Sequence, residues 1–155
     1  MPHITIEYVI LLPVLILQIF LFPLSASLLM NVWIDSRRTL ALQEVTSHIG
    51  SSIQQLYFAL NHTAVTADNV RHNLDVPPFI ENHHYVGNAT LKPLNASKLL
   101  ELTFRLVGAG ITAKATVILG PNAVWKPSTF ISNSTNACIT AEKLADGTIR
   151  LGFGG

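Results

Sequence analysis

Charge is scarce in this chain. Of its 155 residues only 12% are Asp, Glu, Lys or Arg, against roughly 25% in ordinary soluble domains. The formal net charge is +1, so there is no basic field for a nucleic acid, which is not expected as a primary partner. Cys138 is the sole cysteine, which excludes an intramolecular disulfide framework and a cysteine-cluster metal site. There is no Gly-rich phosphate loop, no nucleophile elbow and no HExxH pair. Its carboxylates show no paired spacing suited to acid–base work. No enzyme, cofactor or metal is expected. Of the six histidines, His83-His84 with Glu81 come nearest to a ligand set. Adjacent residues of an extended segment point to opposite faces, however, and rarely chelate one ion.

Apolar residues, by contrast, make up 49% of the chain, which excludes disorder. The excess sits at one end. Tyr8 to Ile34 is a run of 27 residues without a charge, longer than the roughly 20 needed to cross a bilayer as a helix. Tyr8 and Trp33 suit its two interfaces. A secretory signal has a basic start and a shorter apolar core; MPHITIE has no Lys or Arg, although Ser25-Ala26-Ser27 resembles a cleavage site. Glu7 stands at the entrance to the run. It fits the headgroup region, favoured by the helix dipole, or a buried partner such as a neighbouring subunit's N-terminal amine. Pro13 and Pro23 lie inside the run. Each removes a backbone donor, so a kink is expected at Pro13 and a kink or local break at Pro23.

Past Asp35-Ser36-Arg37-Arg38 the pattern becomes amphipathic. Leu42, Val45, Ile49, Ile53, Leu56 and Leu60 follow at spacings of 3, 4, 4, 3 and 4, which is one stripe of a helix. Gln43, Glu44, Ser47, Ser51 and Gln55 occupy the opposite face. No proline intervenes between Pro23 and Pro77. The sequence therefore predicts one nearly continuous helix from about Ile4 to Leu60, membrane-grade first and one-faced afterwards.

The remainder reads as strands. Asn61 to Lys98 is polar and broken by prolines, with one strand expected within His83–Leu91. Leu99–Val107 alternates, placing Leu100, Leu102, Phe104 and Leu106 on one face. Ile111–Leu119 follows, with Ile111, Ala113, Ala115 and Val117 on its apolar face. Ala123–Lys126 and Ser128–Ile131 are short candidates. Cys138–Leu144 and Thr148–Phe153 form a hairpin around Asp146-Gly147. Trp125, Phe130 and Cys138 are expected in the core. The fold class is α+β: residues 1–60 a long helix, residues 61–155 an antiparallel sheet or small sandwich packed on the helix's apolar stripe.

Four Asn-X-Ser/Thr sequons begin at Asn61, Asn88, Asn95 and Asn133. All lie beyond the apolar run and favour an extracytoplasmic domain carrying N-linked glycans. Arg37 and Arg38 after the run would by themselves hold that side in the cytoplasm. A short basic leader ahead of the run reconciles the two signals.

Ile4-Thr5-Ile6-Glu7-Tyr8 leading straight into the apolar run, Pro23 about two-thirds through it, and the amphipathic continuation to Leu60 resemble the type IV pilin family, in particular its archaeal members. The resemblance implies removal of a basic leader that leaves Glu at the fifth mature position, making His3 the first mature residue. It also implies that the apolar helices bundle into a filament core, that Glu7 sets axial register against the adjacent subunit's amine, and that β domains form the outer shell. The expected role is a structural subunit of a cell-surface filament for adhesion, motility or cell contact, inserted in the membrane before assembly. Its partners are copies of itself. The rivals are a non-polymerising bitopic surface protein whose β domain binds a ligand, and a minor pilin or pseudopilin of a secretion system.

Overall fold

The computed structural model describes residues 3–65 and 69–154, and side chains from Val9 onward. One helix, α1, covers His3–Asn61. Eight strands follow among the described residues: β1 (Asn69–Asn73), β2 (Tyr85–Leu94), β3 (Ser97–Leu106), β4 (Thr112–Leu119), β5 (Ala123–Trp125), β6 (Thr129–Ile131), β7 (Cys138–Lys143) and β8 (Ile149–Gly154). The fold is α+β, as the periodicities predict. By compactness the chain divides within α1, into Met1–Arg37 and Arg38–Gly155. The second half of the helix thus belongs with the strands.

In the first unit α1 is long and apolar enough to cross a membrane, and none of its most apolar stretch is buried. Pro13 and Pro23 both lie inside the helix, and neither interrupts it. Proline's fixed φ is close to the helical value, so the loss falls on one hydrogen bond each. At the end of the apolar run the Arg37 guanidinium lies 4.9 Å from the centre of the Trp33 ring, one turn back.

In the second unit the same helix buries one face. Leu42, Val45, Ile49, Ile53 and Leu60 are buried, and Leu56 is half-buried against the same core. Tyr57, Thr46 and Gly50 join that face. Thr46 satisfies its buried hydroxyl by donating to the Leu42 carbonyl at 2.6 Å. Gly50, a weak helix former, sits where the helix meets β3 and β4: a Cβ there would lie 3.1 Å from Val117 and 3.3 Å from Leu102.

The strands form two four-stranded sheets, ordered β1-β7-β8-β5 and β4-β3-β2-β6. All pairings are antiparallel except β5 with β8, which is parallel. That pairing departs from the wholly antiparallel expectation. Ten cross-strand pairs join β2 to β3, from Tyr85↔Leu106 to Leu94↔Ser97, with Asn95-Ala96 as the turn. β2 therefore runs past its expected end and includes Pro93. Its other neighbour, β6, reaches only Val86–Asn88, so Pro93 meets a free edge, where a missing N–H is tolerated. The Asp-Gly hairpin forms between β7 and β8. Gly147 takes φ +83°, and the Asp146 carboxylate accepts the Thr148 N–H at 2.9 Å, a bond that holds its carboxyl below the usual range.

The inner faces share one core. Leu100, Leu102, Phe104 and Leu106 are fully buried, as are Ile139 and Ile149. Aromatic rings bridge the sheets: Phe130 of β6 lies 5.5 Å from Phe153 of β8, against which Trp125 of the same sheet packs at 5.0 Å. Tyr85 and Phe104 complete the cluster, with Phe104 5.7 Å from Phe130. Gly87 makes room for it, since a Cβ there would fall 2.1 Å from the Phe104 ring. The Tyr85 hydroxyl donates to Pro77 O at 2.7 Å, and the buried Ser132 hydroxyl donates to Pro78 O at 2.7 Å. These two bonds fix the proline pair over the core.

Gly87→Ala is expected to lower stability by about 1–3 kcal/mol through overpacking, read as a lower denaturant midpoint of the detergent-solubilised chain. Burial pushes the Tyr85 phenol well above its ordinary value of 10.0. The unfolded chain therefore ionises this group first. Its contribution is whole below pH 10 and is lost progressively as pH rises above that value. Stability measured against pH should fall on the alkaline side, and Tyr85→Phe should flatten that fall.

Candidate functional site

The candidate functional residues are spread over three places. The first is the apolar half of α1. Val9, Leu17, Phe20, Phe22, Leu29 and Val32 are each at least 60% exposed, so the side chains are apolar all round and have no core of their own. A helix of this kind is compatible with membrane insertion or with a signal. Gln18, exposed, is the strongly polar exception until Asn31. The side chain of Glu7, assigned the register role, lies outside the described residues.

The second place is the surface of the β unit. Asn61, Asn88, Asn95 and Asn133 are all exposed. Asn61 ends α1, Asn88 lies in β2, and Asn133 follows β6. Asn95 occupies the β2–β3 turn with φ +45°, a conformation asparagine tolerates better than most residues. The structure thus brings none of the four sequons into the core, and none lies in the β1-β7-β8-β5 sheet. On that sheet a cleft of about 490 Å³ opens between Trp125, Lys126, Thr140, Glu142, Arg150 and Gly152. Arg150 donates to Glu142 at 3.3 Å across the β7–β8 pair. The periodicity of the strands gives no sign of this cleft, because it depends on which strands become neighbours.

The third place was hidden in the sequence altogether. Asn122, in the loop before β5, ties three segments together. Its Oδ1 accepts the Tyr57 hydroxyl, while its Nδ2 donates to Asn61 Oδ1 at 3.0 Å and to Gly147 O at 2.9 Å. Its own carbonyl accepts the Ile149 N–H at 2.9 Å. The end of α1, the β4–β5 loop and the β7–β8 turn therefore meet on one amide. The Gly120-Pro121-Asn122 run signalled only a turn.

A second clamp lies where α1 enters the unit. Arg38 Nε–H donates to Glu81 Oε2 at 2.8 Å. Glu81 and Asn82 both have positive φ, 45° and 67°, in the turn that pairs Ile80 with His83. Left-handed φ at glutamate is uncommon, and here it presents the carboxylate to the helix.

The histidines are not gathered. The His83 ring is bonded through Nδ1 to the Val107 carbonyl at 2.9 Å. Among the described residues no group of three or more His, Cys, Asp or Glu is placed to hold a metal ion. Cys138 is fully buried, and its Sγ accepts from Arg71 Nε–H at 3.0 Å.

Asn122→Ala is expected to cost about 1–3 kcal/mol, because it leaves Tyr57 and Gly147 without their partner. Adding Tyr57→Phe should then cost little more. A double-mutant cycle in thermal unfolding checks this.

No protein-family model, curated protein or solved structure matches this chain.

Proposed function

We propose that this chain is the structural subunit of a type IV pilus-like filament of archaeal type, built through its N-terminal helix and displaying its β unit at the cell surface. One observation carries the reading. A single helix, His3–Asn61, is exposed and predominantly apolar on every side over Val9–Trp33 and buried on one face from Leu42 to Leu60. The second half needs nothing beyond its own β unit. The first half needs apolar surroundings, which a bilayer supplies before assembly and copies of the same helix supply afterwards. Hydrophobic burial on that scale is worth roughly 1.5–3 kcal/mol for each large side chain covered. In this reading Glu7 sits opposite the N-terminal amine of the next subunit and sets axial register. Such a buried pair supplies specificity more securely than stability. The exposed asparagines Asn61, Asn88, Asn95 and Asn133 carry N-linked glycans on the outer shell. Adhesion, motility or cell contact is the role of such a filament.

The cleft beside Trp125, Lys126 and Arg150 favours a second reading, in which α1 is a plain membrane anchor and the β unit binds a ligand at the surface. A minor pilin or pseudopilin of a secretion machine shares the helix with the first reading. It differs in being sparse within its assembly.

Electron microscopy of material sheared from cells that make this protein, with mass spectrometry of the filament band, separates these readings. Uniform filaments composed of this chain are expected, and the same peptides report the mature N-terminus and any glycan on the four asparagines. Glu7→Ala should leave membrane insertion intact and abolish filaments. If the chain remains wholly in the membrane fraction, the filament reading fails and the anchor reading replaces it.

A further inference from the structure

The apolar half of α1 contains a donor and an acceptor that its own chain does not join. Pro23 lies inside the helix and has no N–H. The carbonyl of Ile19, four residues earlier, therefore loses its helical donor. Ile19 lies within about 5 Å of the middle of the Val9–Ile34 run, at 1.5 Å per residue, where lipid offers no replacement. Pro13 frees the carbonyl of Val9 in the same way, but at the end of the run, within reach of the headgroup region.

Gln18 is exposed beside this gap. Leu15, Gln18, Ile19, Phe22, Pro23 and Ser25 line one notch on the helix. The Gln18 side chain brings two N–H donors and a carbonyl acceptor. It cannot close the gap from within its own helix. Side chains lean toward the helix N-terminus, whereas carbonyls point toward the C-terminus. Residue 23 occupies the place from which a helix normally serves the Ile19 carbonyl, and it is proline.

We propose that the notch at Gln18 and Pro23 is a self-recognition site, in which the Gln18 amide of a second copy of this helix donates to the freed Ile19 carbonyl. The inference rests on the reading that this helix packs against copies of itself. Complementary partial charges select the occupant. Hydrocarbon chains carry no donor, while a second copy brings a primary amide at the matching depth. Amide side chains join helices within membranes by such bonds. The contact adds azimuthal preference to the axial register assigned to Glu7, because it lies on one face of a helix that is predominantly apolar on every side.

The test is energy transfer between donor- and acceptor-labelled full chains in phosphatidylcholine vesicles. Gln18→Leu removes the amide and leaves the run more apolar, so insertion is retained. It is expected to weaken self-association by about 3- to 30-fold, the range for one hydrogen bond between membrane helices. Pro23→Ala restores the donor to Ile19 and removes the acceptor. In that background Gln18→Leu should have little further effect, and Gln18→Asn in the native background should restore part of the association. Unchanged association in Gln18→Leu overturns the proposal, as does full additivity of the two substitutions. Equal binding of the native chain to an unrelated apolar helix also overturns it. Filaments are scored separately by electron microscopy. Their absence alongside Gln18-dependent association removes the filament reading and leaves the notch.

Discussion

One constraint organises the molecule: a single helix has to satisfy two kinds of surroundings. Backbone groups within α1 are satisfied internally along most of its length, so the side chains decide what each half tolerates. Over Val9 to Trp33 they are exposed and, apart from Gln18, Ser25, Ser27 and Asn31, apolar. From Arg38 onward polar residues return on one side, and the remaining apolar stripe is covered by strands. The change falls at Asp35-Ser36-Arg37-Arg38, the same place where the chain divides into compact units. Charges there end the apolar run, and Arg38 is at once engaged by Glu81.

The β unit is built to receive that stripe. Neither sheet could bury its inner face alone, since each has four strands and one apolar side. The helix and the two sheets solve this jointly around Phe104, Phe130, Phe153 and Trp125. Close approach is obtained by omission: Gly50 on the helix and Gly87 on β2 leave space that neighbouring side chains fill. Thr46, Ser132 and the Tyr85 hydroxyl are paired where they enter the core, whereas the buried Trp125 Nε1–H has no partner among the described residues. Asn122 then fastens the end of the helix to two loops by hydrogen bonds rather than by packing.

Most elements were legible because their patterns are periodic. The stripe from Leu42 to Leu60 follows the helical repeat, and Leu100 to Leu106 alternates with the strand repeat. Asp146-Gly147 marks a hairpin because glycine accepts the positive φ found there. β1 gave no such signal. Asn69–Asn73 is mostly exposed and polar, and it is a strand because β7 supplies its ladder partners. The parallel pairing of β5 with β8 was equally hidden, for pairing direction leaves no trace in a three-residue strand. Within the candidate site the exposed sequons were visible as motifs. The cleft on the β1-β7-β8-β5 sheet was not, because it sets the Trp125-Lys126 segment beside the β7–β8 hairpin that carries Glu142 and Arg150, a neighbourhood fixed by the pairing of β5 with β8.

By itself, then, the sequence determined the class of each segment: an all-round apolar helix, its one-faced continuation, and alternating strands behind it. These follow from local repeats and from the free energy of placing side chains in water or away from it, which act without reference to distant residues. Tertiary structure alone decided the neighbours. It set the two sheet orders, the close approaches at Gly50 and Gly87, the meeting of Tyr57, Asn61 and Gly147 on Asn122, and the Arg38–Glu81 pair. Each depends on residues brought together by loop closure and packing, and no local pattern encodes which of many chemically suitable partners will be within reach.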